Sequence, residues 1–304
     1  MNFQKTNHNM HITNFDKSYT KTLYKFIKNS KPHGYIDWIL EYNFFKNSLN
    51  SKNNNTTKSF ILIFSDQSKQ VISGYCLIDN KIGLGYSQLN IFLEDENYSN
   101  ITKIINYLKK NSKITTKKLV IASNSEEKRL QKYLLSCNWR AVRKFYKLEK
   151  ILFDDSNITI DNKFNIIRIE EKDSSKLTKL QNDAFKSHWG YEKNTPSEIT
   201  EEITKKHNTI LIHKNQSQSI LGYVWIMETQ NFISKINMLG IDPDFTGNGL
   251  GKCLLYHALK HEINNGKKRV ILDVDSRNIK ACKLYEKFGF NKYLSLIWWE
   301  KELG

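Results

Sequence analysis

Short apolar blocks separated by polar turns recur along the chain, and their order repeats once. "FILIFSDQSKQVISGYCLI", Phe60 to Ile78, reads as two strands joined by a polar turn around Asp66 to Lys69. "TILIHKNQSQSILGYVWIM", Thr209 to Met227, has the same pattern, and both second strands open on Gly-Tyr, at Gly74-Tyr75 and Gly222-Tyr223. Each block is followed by another apolar strand, "QLNIFLED" and "INMLGIDP". A helix of about four turns comes next, then a β-rich run, "KKLVIAS" or "KRVILDV". A short helix ends on "LLSCNW" in one half and "YEKFGF" in the other, and a last strand closes each half, "AVRKFYKLEK" or "LSLIWWEKEL". The polar run "FDDSNITIDNKFN", Phe153 to Asn165, carries turn formers and separates the halves. The spacing therefore predicts two copies of one domain, at residues 1–155 and 163–304, rather than an array of short units. Each copy is expected to be α/β, a mixed and largely antiparallel sheet flanked by helices.

Composition narrows this picture. A chain of 304 residues is long enough for two domains with separate cores. Cys76, Cys137, Cys253 and Cys282 are scattered without metal-type spacing, and the start lacks the apolar core of a secretory signal. The expectation is a cytoplasmic protein with reduced thiols and no metal. No stretch approaches the about 18 apolar residues that span a bilayer. The net charge of +16 favours anionic partners, but the lysines are spread along the chain and read as compositional. There are no zinc ligands, no RNP-type aromatic run and no clustered Arg, so nucleic acid is not expected as a partner. The oligomeric state is left open.

Glycine is scarce, yet Gly247, Gly249 and Gly251 fall within five positions of "NMLGIDPDFTGNGLGKCLL", Asn237 to Leu255. The stretch reads as a strand, a tight turn and a helix start. Glycine admits positive φ and close approach of a ligand. A helix start offers unpaired amides and the positive end of the helix dipole, which together cradle phosphate. The spacing fits neither the Walker loop nor the dinucleotide fingerprint.

Taken with "ILDVDSRNIKACKLYEKFGFNKY", Ile271 to Tyr293, this stretch resembles the GNAT superfamily of N-acetyltransferases. The residues that carry the resemblance are Leu239, Gly240, Ile241, Pro243, Thr246, Gly247, Gly249, Leu250 and Gly251, then Asn278, Ala281, Leu284, Tyr285, Gly289 and Phe290. Thr246 stands where the family commonly has Arg or Gln, which removes one charge-assisted phosphate contact. The resemblance implies two tandem GNAT-like domains of the mycothiol-synthase type, the second one catalytic. It implies acetyl-CoA as co-substrate, held by Leu239, Gly240, Ile241, Thr246, Gly247, Asn248, Gly249, Leu250, Gly251, Lys252, Asn278 and Lys283. In the family, the fourth strand carries a bulge and splays from the fifth. Leu239 to Ile241 are expected to be that segment, with Gly240 at the bulge and backbone amides polarising the thioester carbonyl. Tyr285 is the expected general acid for the departing thiolate, or a core ring, and Asn278 a helix cap or a CoA contact.

The general base is drawn from Glu228, Asp273, Asp275 and His188, with Glu228, at the end of "GYVWIME", preferred. The segment "NDAFKSHWGYEKNTPSEI", Asn182 to Ile199, falls where the family places its acceptor loop. Phe185, His188, Trp189 and Tyr191 are expected to wall an aromatic pocket for a small-molecule amine. The first half has Glu94, Asp95 and Glu96 in place of the glycines and Leu134 in place of Tyr285. Like charge would repel a pyrophosphate there, so the first half reads as a degenerate copy that shapes the acceptor cleft. Two other readings stay open: an acetyltransferase for protein or peptide amines, and a non-catalytic CoA- or nucleic-acid-binding module.

Overall fold

The computed structural model describes residues 10–29, 46, 58–65, 71–94, 97–152, 164–230 and 232–303. The predicted turn at Asp66 to Lys69, the acids Asp95 and Glu96, and the linker before Phe164 lie outside these residues. By contacts the chain divides into two compact units, Met1–Phe145 with Ser295–Gly304, and Tyr146–Leu294.

The first unit contains β1 (His11–Asn14), α1 (Thr20–Asn29), β2 (Lys58–Phe64), β3 (Ile72–Lys81), β4 (Tyr86–Leu93), α2 (Ser99–Lys110), β5 (Lys118–Asn124) and α3 (Lys128–Ser136). Strands β1 to β4 form an antiparallel meander, and β4 pairs in parallel with β5 over Ser87–Leu89. The sheet is closed by β12 (Asn291–Glu302), whose residues Leu296–Glu302 run antiparallel to β5. Trp299 of that strand is buried in this unit's core and donates from its indole nitrogen to Ser123 Oγ at 2.9 Å.

The second unit contains β7 (Ile166–Arg168), α4 (Ser174–Phe185), α5 (Pro196–Thr204), β8 (Asn208–Lys214), β9 (Ile220–Gln230), β10 (Ile233–Ile241), α6 (Leu250–Asn264), β11 (Arg269–Asp275) and α7 (Ile279–Lys287). Helix α5 starts on a capping box, with Thr195 and Glu198 satisfying each other's backbone amides and Pro196 in the first turn. The sheet order is β6-β11-β10-β9-β8-β7, where β6 (Arg140–Ile151) enters this unit from Tyr146 onward. One core packs α6 and α7 on one face of the sheet, through Leu254, Leu255, Leu259, Val270, Leu272 and Tyr285. The other, around Leu177, Ile199, Tyr223 and Trp225, packs α4 and α5 on the opposite face.

The units therefore differ from a division at 1–155 and 163–304 in one respect. The closing strands change places: Tyr146–Ile151 belongs with the second half and Ser295–Glu302 with the first. Neither closing strand alternates in a way that marks its sheet, since Leu296 to Trp299 are four apolar residues in a row, and only pairing assigns the two strands. No helix among the described residues is long and apolar enough to cross a membrane. No group of three or more His, Cys, Asp or Glu among them could hold a metal ion.

Candidate active site

Strand β10 pairs in parallel with β11 only from Ile233 to Ile236, and then continues to Ile241 beside β9 alone. The β9 register slips between Ile236 and Met238, so Asn237 is the extra, exposed residue of a bulge. Beyond it, Met238 to Ile241 run free of β11, and their β11-facing backbone groups are available to a ligand. This corrects the placing of the bulge at Gly240, which lies opposite Tyr223 in regular register. What requires glycine at 240 is space: a Cβ there would stand 2.5 Å from Tyr223 Cε1 and 2.9 Å from Phe185 Cε2. Gly240→Ala is expected to lower the urea midpoint by overpacking, at about 1–3 kcal/mol. An unchanged midpoint would show that the two rings can move aside.

After β10, Asp242 caps a short turn, Pro243–Phe245, through Asp244 N at 3.0 Å. Gly247 and Gly249 both take φ +87°, a left-handed conformation that strains any other side chain, and above each lies open space. Gly249 is the N-cap of α6, and no side chain caps that helix. Its first backbone bond is Cys253 N to Gly249 O at 3.1 Å, so the amides of the preceding turn face an open surface. Thr246 Oγ1 and the Asn248 amide are tied to Pro243 O and Phe245 O, each at 3.3 Å. These two side chains thus shape the turn. Gly251 is half-buried beside Leu239 and Ile241, Leu250 is buried, and Lys252 is exposed.

Helix α7 begins at Asn278, whose side chain accepts from Ala281 N at 3.1 Å. Lys283 is exposed on its outer face. Tyr285 is buried, 7% exposed, with its ring edge-on to Phe290 at 5.7 Å. Burial, and secondarily the nearby Cys282 thiol, push its phenol well above the ordinary value of 10. The hydroxyl therefore keeps its proton, as an acid must before it acts.

The first half shares the parting of its parallel strands, since β4 meets β5 only over Ser87–Leu89, but it lacks the bulge, the glycine turn and the tyrosine. Strand β4 pairs with β3 without a break from Tyr86 to Leu93, so it has no bulge. Phe92 stands opposite Tyr75, where Gly240 stands opposite Tyr223, and the two rings stack at 5.8 Å. Both short helices end alike: Asn138 and Gly289 have φ of +60° and +74°, and Trp139 N and Phe290 N return to Leu134 O and Tyr285 O at 3.0 Å. That equivalence puts the fully buried Leu134 in the place of Tyr285.

The aromatic segment meets β10 at Gly240. Phe185, at the end of α4, lies over that glycine, and its ring is 4.9 Å from His188 and 5.6 Å from Tyr191. His188 is exposed, while Trp189 and Tyr191 are half-buried. A polar network that the sequence did not reveal braces the segment from beneath. Asn182 Oδ1 accepts from Tyr191 Oη at 2.8 Å and from Asn194 N at 3.0 Å, and its amide donates to Asn194 O at 3.0 Å. Asn194 Nδ2 donates to the buried Gln181 at 3.0 Å, and Gln181 in turn reaches Met238 Sδ on β10. Amide residues separated by a loop carry no local signal of such pairing.

Glu228, the preferred candidate for the general base, lies apart from Gly240. Glu228 lies at the far end of β9, paired with Ser234, while Gly240 is paired with Tyr223. Five residues of strand, roughly 17 Å, separate these positions. Glu228 is ion-paired to Lys267 and is half exposed. The separation has a physical source: β9 and β10 are antiparallel, so the end of one lies beside the start of the other. Glu228→Gln is expected to change kcat/KM by no more than about twofold, as for an exposed residue remote from chemistry. Asp273 is taken by Lys235 at 2.7 Å and Lys147 at 3.7 Å. Asp275 Oδ1 accepts from Arg277 N at 2.9 Å in the turn before α7. Of the candidates, His188 is the one joined to Gly240 through a ring contact.

Residues 175–290 match the acetyltransferase (GNAT) family model, a span that includes the aromatic segment, the glycine turn and Tyr285. The chain is 28% identical over 160 residues to the mycothiol acetyltransferase of Mycobacteroides abscessus, covering 49% of this chain and 53% of that one. It is 30% identical over 120 residues to that of Corynebacterium efficiens, covering 38% and 40%. The matches thus span about half of these relatives' lengths, or less. Among solved structures, a GCN5-related N-acetyltransferase from Sphaerobacter thermophilus aligns over 96% of this chain and 95% of its own, with TM-score 0.74 and 13% identity. A tandem GNAT protein from the clavulanic acid biosynthesis pathway aligns over 97% and 99%, with TM-score 0.74 and 10% identity. These two show a shared fold. Residues 175–290, which hold the parted β10, the glycine turn and Tyr285, are thus the part of the chain that matches the acetyltransferase (GNAT) family.

Proposed function

We propose that the second half of this chain transfers an acetyl group from acetyl-CoA to the primary amine of a small-molecule acceptor. The observation that carries this reading is a bulged strand that leaves its neighbour just ahead of an uncapped, left-handed glycine helix start. The open space above Gly247 and Gly249 fits a pyrophosphate on the α6 amides. Lys252, in the first turn of α6, and Lys283, midway along α7, are exposed cations that add to that attraction. The β11-facing backbone of Leu239 to Ile241 holds the pantetheine arm and polarises the carbonyl oxygen. Acetyl-CoA supplies the thioester. The amine nitrogen forms the new C–N bond as the C–S bond breaks, and the Tyr285 hydroxyl gives its proton to the leaving sulfur. The amine's own proton leaves to water.

The mycothiol acetyltransferases among its relatives support a small acceptor. The free thiols of Cys76, Cys137, Cys253 and Cys282 suit a reducing compartment, the cytoplasm. The deciding experiment is a calorimetric titration of acetyl-CoA into the full chain. Saturable one-site binding is expected, and no heat of binding at high micromolar acetyl-CoA would overturn the reading.

A further inference from the structure

Resting on that reading, we infer that the acceptor is an amine carried on an aromatic body, an arylalkylamine, seated against the ring wall of the α4–α5 loop. Phe185, His188, Trp189 and Tyr191 concentrate four rings in seven residues, and Phe185 touches the strand segment beside the acetyl position. The rings remain half or fully exposed, while the half-buried amides Asn182 and Asn194 make their bonds within the loop and its supporting helix. Asn182 is engaged by Tyr191 and Asn194, Asn194 by Gln181, and Glu198 by the Thr195 cap. A sugar amine needs polar side chains directed at its hydroxyls, and a polyamine needs carboxylates spaced along it. The wall offers ring faces instead, which favour a flat apolar body by stacking and edge-to-face contact. The same faces attract the ammonium group as it approaches, before it loses its proton. The network beneath holds the rings in place, so that binding costs less ordering of the wall.

The test uses the full chain, acetyl-CoA and three amines: phenethylamine, glucosamine and spermidine, with acetylated products counted by mass spectrometry. Phenethylamine is expected to show a kcat/KM at least tenfold above the other two. His188→Ala, at an exposed position that does not support the core, is expected to raise the phenethylamine KM about 3- to 10-fold with a smaller change in kcat. His188→Phe, which restores a ring, is expected to recover it. The inference is overturned if glucosamine or spermidine is the better acceptor, if the KM ignores the ring at 188, or if acetyl-CoA binds but phenethylamine is not acetylated. Failure of acetyl-CoA to bind in calorimetry removes the acetyl-transfer reading itself, and is told apart in that way.

Discussion

Tyr285→Phe is expected to lower kcat about 100-fold or more while acetyl-CoA affinity stays within about twofold, since a positioned acid contributes roughly 10²- to 10⁴-fold. The substitution keeps the ring and its edge-on contact with Phe290, so the core around α7 remains filled. It removes only the proton donor. The sign of the pH dependence follows from the direction of the shift. Burial raises the phenol above its ordinary 10, so the donor form persists through neutral and mildly alkaline pH and is lost only above that value. Any alkaline loss of kcat below pH 10 therefore belongs to another group and should survive in Tyr285→Phe. Steady-state kinetics across pH check both statements. A variant with unchanged kcat would reduce Tyr285 to a packing residue.

Gly249→Glu is expected to weaken acetyl-CoA binding at least about 100-fold with little loss of folded stability. A non-glycine residue at φ +87° carries about 1–2 kcal/mol of left-handed strain. A carboxylate at a helix N-terminus recovers about 0.3–1 kcal/mol through the dipole. The remainder is small, and the Cβ meets nothing within 4 Å, so the fold survives. Binding suffers far more. A carboxylate about 4 Å from a phosphate, at an effective dielectric near 20, is opposed by about 4 kcal/mol. That repulsion exceeds the roughly 2.7 kcal/mol that separates a hundredfold change in Kd. Calorimetry beside a thermal melt distinguishes the two effects. Retained affinity would move the phosphates away from the α6 start, and a collapsed melt would show a structural role for this turn.

The two predictions draw on features of different visibility. The glycine turn and the segment from Asn278 to Phe290 are local: a tight turn, a capped helix and a helix stop are written in residues a few positions apart. They were legible for that reason, and Asn278, Gly249 and Gly289 do in the structure what their neighbours in sequence indicate. The bulge was misplaced because it depends on register. Asn237 is extra only relative to β9, and nothing in "INMLGI" marks it. The need for glycine at 240 comes from Tyr223, on another strand, and from Phe185, on a helix. The place of Glu228 was hidden on the same ground, since antiparallel pairing carries it away from the glycine turn.

By itself, the amino-acid sequence determined the element order of both halves, the duplication, and the contrast between a half with the glycine turn and Tyr285 and a half with Leu134. Those follow from periodicity and turn chemistry, which act over a few residues. The tertiary structure alone decided which closing strand completes which unit, where β10 leaves β11, and how Asn182, Asn194 and Gln181 brace the aromatic wall. Each of these is a pairing between groups distant in the chain. Several partners satisfy such a group equally well in composition, and only packing in three dimensions selects one.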